Sequence, residues 1–333
     1  MEWTGVADDR RRGFTRLDAE PRAGVTGRAV GALHAGQLRV DASTVHALLR
    51  DQFPRWAREP VVPVAGSGTV NAIFRVGEEH VARFPLVVDD PDATAAVIET
   101  EATAARELAD TTHVPASLTM AVGRPGRGYP GPWSVTTWLD GEPATPTGLK
   151  ASRDFALEIA ALLTELRAAP TRGRMFSGLG RGGSLPDHDE WMRLCLDESS
   201  DLLDVPRLAA AWAVLRDLPR RAPDVMSHKD LVPANLLVVD GHLAGVLDSG
   251  GFGPADPALD LVVAWHVFDE PVRTMLRHAV QPFPDDLTWA RGAAWAFEQA
   301  LGLVWYYRES NPAMSALGRS TLDRIMVSDI VPG

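Results

Sequence analysis

The sequence predicts an α/β (α+β) chain in two lobes, a small one built on an antiparallel sheet and a larger, mainly helical one. Three observations carry that expectation. Residues 61–84 alternate short apolar runs with the turn Ala65-Gly66-Ser67-Gly68-Thr69 and with Gly77, as consecutive strands do. Residues 154–168 and 289–307 instead place apolar side chains at helical spacing. Between these helical stretches lies one short hairpin, with apolar residues 236–239, the turn Asp240-Gly241 and a returning run 242–247. At 333 residues the chain can bury a substantial core and is long enough for two lobes. The expected division is an irregular or flexible extension over 1–35, a sheet lobe over 36–140 and a helical lobe over 141–333.

Residues 1–35 are rich in Arg, Asp, Gly and Ala without periodicity. Arg10, Arg11 and Arg12 precede no apolar run, so no secretory signal is expected. A helix is predicted over 41–56, capped by Asp41 or Ser43, with Val45, Leu48, Leu49 and Phe53 on one face. Strands follow at 61–64, 72–76 and 80–84, then a helix over 97–109. Phe155, Ile159, Leu162, Leu163 and Leu166 make the stripe of a core helix. Residues 170–190 read as a Gly- and Arg-rich loop ending in Asp187-His188-Asp189-Glu190. That acidic cluster suits either a cationic ligand or a solvated turn ahead of a helix. Helices are also expected over 191–203, 261–268 and 289–307. Their aromatic residues are mostly core, with a few left for a ligand pocket.

Composition narrows the function. Apolar residues make up 45% and charged residues 23%, ordinary for a soluble globular chain, and no apolar run is long enough to cross a membrane. The net charge of -11 argues against nucleic acid or an anionic membrane as partner and is compatible with cationic ligands. Cys195 is the single cysteine, which excludes an internal disulfide and a Cys-rich zinc site; it is expected to be a packed thiol. A cytoplasmic location is the default.

The chemistry is concentrated in Ser227-His228-Lys229-Asp230-Leu231-Val232-Pro233-Ala234-Asn235 and Leu247-Asp248-Ser249-Gly250. An H-x-D-x-x-x-x-N run places a carboxylate beside a substrate hydroxyl and a carboxamide beside a metal. An Asp one hairpin later completes a site for moving a phosphoryl group from ATP. Asn235 and Asp248 would then meet at the open end of the hairpin. An isolated H-x-D or Asp-Gly turn is common by chance, whereas the ordered set is not.

With Asp256-Pro257-Ala258-Leu259-Asp260, these residues resemble the C-terminal signature of the aminoglycoside phosphotransferase family, the small-molecule branch of the protein-kinase-like fold. The resemblance spans residues 40–330 and implies a kinase-like fold in which 36–140 binds nucleotide and 141–333 carries catalysis and the acceptor. It departs twice from the family pattern: Lys229 stands where Gly is usual, and Ser249 where an aromatic is usual. The resemblance implies that Asp230 orients the acceptor hydroxyl and takes its proton, while Asn235 and Asp248 hold Mg2+ against ATP, or GTP. It implies that Ser67, Gly68 and Thr69 fold over the phosphates, and that Arg83 of Val81-Ala82-Arg83-Phe84-Pro85 replaces the usual Lys as their cation. Glu101 is then the acidic partner of Arg83, with Glu99 as competitor, and the backbone from Thr136 to Trp138 reads the adenine edge. His228 would support the loop, and Asp256 and Asp260 would tie down its N–H groups.

The function this implies is O-phosphorylation of a small hydroxylated molecule, an antibiotic such as an aminoglycoside, macrolide or aminocyclitol above all, giving resistance by inactivation. Alternatives are a metabolic kinase for choline-like or sugar acceptors and a non-catalytic nucleotide-binding pseudokinase. A protein kinase fits less well, because no D-F-G to A-P-E activation segment follows Asp248. Ten Trp against three Tyr leave a flatter, more apolar acceptor open, and oligomeric state is not encoded in any motif.

Overall fold

The computed structural model describes residues 38–64, 70–178 and 180–331. The expected extension over 1–35 lies outside them, as do Ser67, Gly68 and Thr69 of the glycine turn.

The first lobe opens with helix α1 (Ala42–Gln52), capped by Asp41, whose Oδ1 accepts the Thr44 N–H at 2.7 Å. The sequence predicts a helix reaching Trp56, but Pro54 has no N–H to continue the ladder. Residues Pro54–Trp56 turn as a 3₁₀ segment instead. Strands β1 (Val61–Pro63), β2 (Asn71–Val76) and β3 (His80–Pro85) follow, β2 and β3 turning at Gly77, whose φ of +61° suits a residue without Cβ. Helix α2 (Pro91–Thr111) is longer than the predicted 97–109. It starts at the Asp90-Pro91 cap, where Asp90 accepts the Asp92 N–H at 2.9 Å. Strands β4 (Thr119–Gly123) and β5 (Trp133–Thr137) complete an antiparallel sheet of order β1-β2-β3-β5-β4. The lobe's core is aromatic: Phe84 stacks on Trp133 at 4.9 Å, and Phe53 meets Trp133 edge-on at 5.3 Å.

The second lobe runs β6 (Glu142–Pro143), α3 (Pro146–Leu149), α4 (Arg153–Ala168), α5 (Asp189–Glu198), α6 (Val205–Leu215), β7 (Val225–Ser227), β8 (Leu236–Val239), β9 (His242–Val246), β10 (Gly253–Ala255), α7 (Val262–Val267), α8 (Glu270–Ala279), α9 (Asp286–Tyr306) and α10 (Pro312–Met326). Ser152 caps α4, which buries the predicted apolar stripe. Helix α5 stops short of the predicted residue 203, because the Ser199 N–H closes on the Cys195 and Leu196 carbonyls. Cys195 is buried, and burial pushes its thiol pKa up, so it is packing rather than a nucleophile.

The predicted hairpin forms as β8 and β9, with Asp240 and Gly241 both at positive φ (+52° and +85°) as a tight turn of this type requires. Strand β6 pairs with β8, and β7 with β10. Trp265, Trp295, Phe155, Phe268 and Phe297 are fully buried, which settles most of the helical aromatics as core. A Cβ on Gly318 would lie 2.6 Å from the Ala300 carbonyl oxygen, so this glycine is what lets α10 approach α9 so closely. The site hairpin therefore projects from a densely packed helical base toward the sheet of the first lobe.

Candidate active site

The loop after β7 is held by one buried carboxylate. Asp260 accepts the N–H of His228 at 2.9 Å and that of Lys229 at 3.1 Å. Burial raises the Asp260 pKa, while His228 and the two N–H groups pull against that rise. The Nε2–H of His228 donates to the Leu247 carbonyl at 3.0 Å, joining the loop to the far end of the hairpin. These bonds explain how a lysine is tolerated at position 229. Lys229 has φ +71°, where glycine is at ease and a side chain costs on the order of 1 kcal/mol. Its N–H is pinned by Asp260 and by the Ser227 hydroxyl at 3.0 Å, so the surroundings dictate the strained conformation. The Lys229 ammonium lies 5.7 Å from the Phe176 ring centroid, and burial lowers its pKa.

Three predicted residues converge. Asn235 Nδ2 donates to the Asp230 carbonyl at 2.9 Å and to Asp230 Oδ2 at 3.0 Å. With the amide nitrogen used in this way, the carboxamide oxygen of Asn235 is left as an acceptor. The Leu247 N–H donates to the Asn235 carbonyl at 2.8 Å, closing the hairpin base and delivering Asp248 beside Asn235. Asp248 has φ +56°, a left-handed conformation that Asp adopts more readily than most residues. The side chains of Asp230 and Asp248 are 45% and 58% exposed, so both carboxylates open on the cleft.

The first lobe contributes Arg83 from β3 and Glu101 from α2. Arg83 Nη2 stands 3.4 Å from Asp248 Oδ1, so the expected phosphate cation leans on the expected metal carboxylate. Glu101 packs against Gly250, where a Cβ would fall 2.6 Å from Glu101 Cγ. Burial raises the Glu101 pKa, Arg83 lowers it, and Asp248 adds to the rise, so Glu101 senses both charges without being locked to either. Glu99 lies on the exposed side of α2. Thr136 sits in the ladder between Val81 and Thr119, and the Trp138 N–H donates to the Glu79 carbonyl at 2.7 Å. The backbone at these two positions is thus committed to the sheet and its edge.

One expectation from the second lobe changes, and an open one narrows. Asp256 does not hold the catalytic loop. It is buried and takes Arg291 Nε at 2.9 Å, Trp295 Nε1 at 3.0 Å and the Ala258 N–H at 3.0 Å. Of the acidic run at 187–190, Asp187 and Glu190 are exposed at the start of α5, as the solvated-turn alternative has it, while Asp189 is bound by Arg216 at 2.6 Å and by Trp212 Nε1 at 3.0 Å.

Sequence reasoning missed a cation beside Asp230. Arg181 Nη1 stands 4.0 Å from Asp230 Oδ1, while its Nε donates to Glu298 Oε2 at 2.5 Å. His188 holds the other Glu298 oxygen at 3.0 Å. The signal was present in the sequence as one glutamate inside an otherwise apolar stretch of α9. Burying a carboxylate there requires a cation brought by another segment.

The model of the phosphotransferase enzyme family matches residues 61–295, well over half of the chain. The chain belongs to that family. Asp230, Asn235, Asp248, Arg83 and Glu101 all fall within the matched span. An aminoglycoside 3'-phosphotransferase of Escherichia coli is 28% identical over 227 residues, covering 65% of this chain and 78% of that protein. Among solved structures, the GDP complex of wild-type aminoglycoside 2'-phosphotransferase-IIIa superposes with TM-score 0.63 at 17% identity, covering 86% of this chain and 99% of that one. Macrolide 2'-phosphotransferase MphH from Brachybacterium faecium superposes with TM-score 0.57 at 18% identity, covering 82% and 97%. At those identities the likeness speaks for the kinase-like fold, which the sheet lobe, the hairpin and the helical lobe share.

Proposed function

We propose that this enzyme transfers the γ-phosphoryl group of ATP, or GTP, to a hydroxyl of a small molecule, and that its acceptor is an antibiotic inactivated by the added charge and bulk. The observation that carries the reading is the single constellation of Asp230, Asn235 and Asp248 at the base of one hairpin. Asp230 accepts the acceptor's proton as its hydroxyl oxygen forms the new bond to γ-phosphorus, and the bond from phosphorus to the nucleoside diphosphate breaks. Asn235 fixes the Asp230 carboxylate through the 3.0 Å bond to Oδ2, leaving Oδ1 to receive the hydroxyl. Arg83 neutralises phosphate charge with a guanidinium suited to bidentate contact, and Glu101 supplies an opposite charge near it. In the sequence Ser67, Gly68 and Thr69 precede β2 in the order that suits a phosphate-covering loop.

The donor set fits Mg2+. Asn235 and Asp248 offer hard oxygen atoms, and no group of three or more His, Cys, Asp or Glu side chains able to hold a metal exists among the described residues. Two protein ligands are what Mg2+ takes when phosphates and water complete its shell. When bound, Mg2+ neutralises charge on the phosphate oxygens during transfer. For the adenine edge, the commitments of Thr136 and Trp138 favour the connector that follows residue 138. No helix among the described residues is long and apolar enough to cross a membrane. A cytoplasmic enzyme, supplied there with nucleotide and Mg2+, fits the reaction.

The relatives named above act on aminoglycosides and a macrolide, which supports a hydroxylated antibiotic as acceptor. The test is phosphate transfer from Mg-ATP and Mg-GTP to a panel of such compounds, read by mass spectrometry, with Asp230→Ala run in parallel. A gain of one phosphate that disappears in the variant is the expected result. Product only with choline-like or sugar acceptors would move the enzyme to metabolism. Nucleotide binding without any Asp230-dependent product would leave a pseudokinase.

A further inference from the structure

We infer that Arg181 is a positioning residue for Asp230: its guanidinium, anchored on the buried Glu298, keeps Oδ1 of the Asp230 carboxylate turned toward the acceptor hydroxyl. The inference rests on the phosphotransferase reading above and deepens it. Asn235 alone leaves the carboxylate loose. The terminal torsion of an aspartate is soft, so a carboxylate gripped at one oxygen still swings about that grip. Asn235 Nδ2 holds only Oδ2, at 3.0 Å. Among the described residues no hydrogen bond reaches Oδ1, and the charge beside it is Arg181 Nη1 at 4.0 Å.

That separation suits the role. At 4.0 Å the contact is an ion pair and too long for a hydrogen bond, so Arg181 draws on Oδ1 without filling the lone pair that the hydroxyl must use. One guanidinium set between two carboxylates leaves a single negative charge among the three groups, so Asp230 is steadied and the site keeps the charge that a base needs. Phosphoryl transfer depends on alignment more than on covalent help, and a residue that aims the carboxylate therefore acts on the rate.

Arg181 is itself fixed in place. Its Nε donates to Glu298 Oε2 at 2.5 Å, and the Glu298 side chain is only 2% exposed. His188 Nδ1 lies 3.0 Å from the other Glu298 oxygen, and its ring meets Trp295 edge-on at 5.1 Å. Burial works against the charge on Arg181, but Glu298 and then Asp230 outweigh it and raise its pKa. The backbone is seated as well. The Gly182 carbonyl accepts the Asp256 N–H at 2.8 Å, and a Cβ on Gly182 would fall 2.7 Å from Ala255 Cβ, so this loop lies directly against β10. The guanidinium thus divides two tasks between separate nitrogens: Nε fastens it to α9, and Nη1 faces Asp230. A lysine has one nitrogen and cannot divide them.

The test uses the full chain with Mg-ATP and the compound that gains phosphate in the panel above, kanamycin, gentamicin and a macrolide included. Arg181→Gln is expected to lower kcat about 10- to 100-fold, while KM for ATP and for the acceptor each change less than about threefold. Arg181→Lys should recover only part of the loss. In Arg181→Ala, millimolar guanidinium should restore kcat several-fold, and urea, of the same shape without the charge, should not. The double variant Arg181→Gln with Glu298→Gln leaves no buried unpaired carboxylate, so the same fall in kcat in a stably folded protein separates positioning from misfolding. Full activity in Arg181→Gln would overturn the inference, as would a raised acceptor KM at unchanged kcat, or a rescue by guanidinium no greater than that by urea. A second arm reads the contact without turnover. Asp230→Asn is made in the wild type and in Arg181→Gln, and urea denaturation followed by tryptophan fluorescence gives the folding equilibrium constants. The substitution is expected to lower that constant at least about threefold more in the wild type than in Arg181→Gln. Equal effects in the two backgrounds mean that the groups do not interact, and overturn the inference. If no compound gains an Asp230-dependent phosphate, the phosphotransferase reading fails, and the denaturation arm alone decides whether Arg181 holds Asp230.

Discussion

At the scale of single residues the site is a set of constraints on one carboxylate. Asp230 is oriented by Asn235, faced by Arg181 and carried on a loop whose two N–H groups at positions 228 and 229 end on Asp260. On the proposed function this carboxylate is the base, and removing it leaves the rest of the scaffold in place. Asp230→Ala is expected to lower kcat by roughly 10²–10⁴-fold while the KM for nucleotide changes little, measured by steady-state kinetics at saturating acceptor. A variant that lost nucleotide affinity in equal measure would assign Asp230 a structural role instead. The positive φ of Lys229 and Asp248 belongs to the same picture, since both residues accept local strain to aim a neighbour at the cleft.

At the scale of elements, α7, α9 and α10 meet around a buried histidine. His266 bonds Thr321 Oγ1 of α10 at 3.0 Å and Gln299 Oε1 of α9 at 2.9 Å. Burial chiefly lowers its pKa, to about 4 from the ordinary 6.5, and nearby Arg181 and Arg324 push the same way. The unfolded chain therefore binds a proton at this residue before the folded chain does. Its contribution is complete above pH 6.5 and is lost as pH falls toward 4, amounting to about 3 kcal/mol at 1.36 kcal/mol per pKa unit. Denaturant melts of wild type between pH 7 and 4 should show this loss, and His266→Gln should flatten that part of the profile. A wild-type profile with the same slope as the variant would contradict the assignment. Because Glu298 lies one residue before Gln299 on α9, loosening this junction is also expected to disturb Arg181.

At the scale of the molecule, one buried ion pair ties distant segments of the helical lobe together. Arg291 of α9 grips Asp256, reaches the Leu218 carbonyl after α6 at 2.5 Å and the Gly183 carbonyl at 3.4 Å. The Asp256 N–H in turn donates to Gly182 at 2.8 Å, which sets the loop that carries Arg181. Removing one partner strands the other charge inside the protein. Arg291→Ala should therefore cost about 3–5 kcal/mol in chemical denaturation, with Asp256→Ala similar and the double variant far from additive. Additive losses would mean that the two charges are not coupled.

Sequence alone was enough for the two-lobed fold and for the hairpin with its Asp-Gly turn, and it singled out Asp230, Asn235, Asp248, Arg83 and Glu101 as candidates that the fold brings near one another. Those features rest on local rules: the period of apolar residues, the conformational demand of a tight turn, and the spacing of chemical groups along one loop. Helix ends at Pro54 and Asp90 were equally local, and a stricter reading of their cap and proline signals would have placed them. Helices α8 and α10 mix charged and apolar residues in a way that acquires meaning only once a neighbour is packed against them. The split between Asp256 and Asp260 was beyond reach, because two carboxylates four residues apart read alike until Arg291 arrives at one and a backbone turn at the other. The same holds for Arg181. Its charge is set against Asp230 by Glu298, 117 positions away, and only the packing of α9 against the loop before α5 brings the pair together. Coulomb forces and desolvation act through space: Glu298 in an apolar stretch signals that a cation must come, and no local pattern says which one.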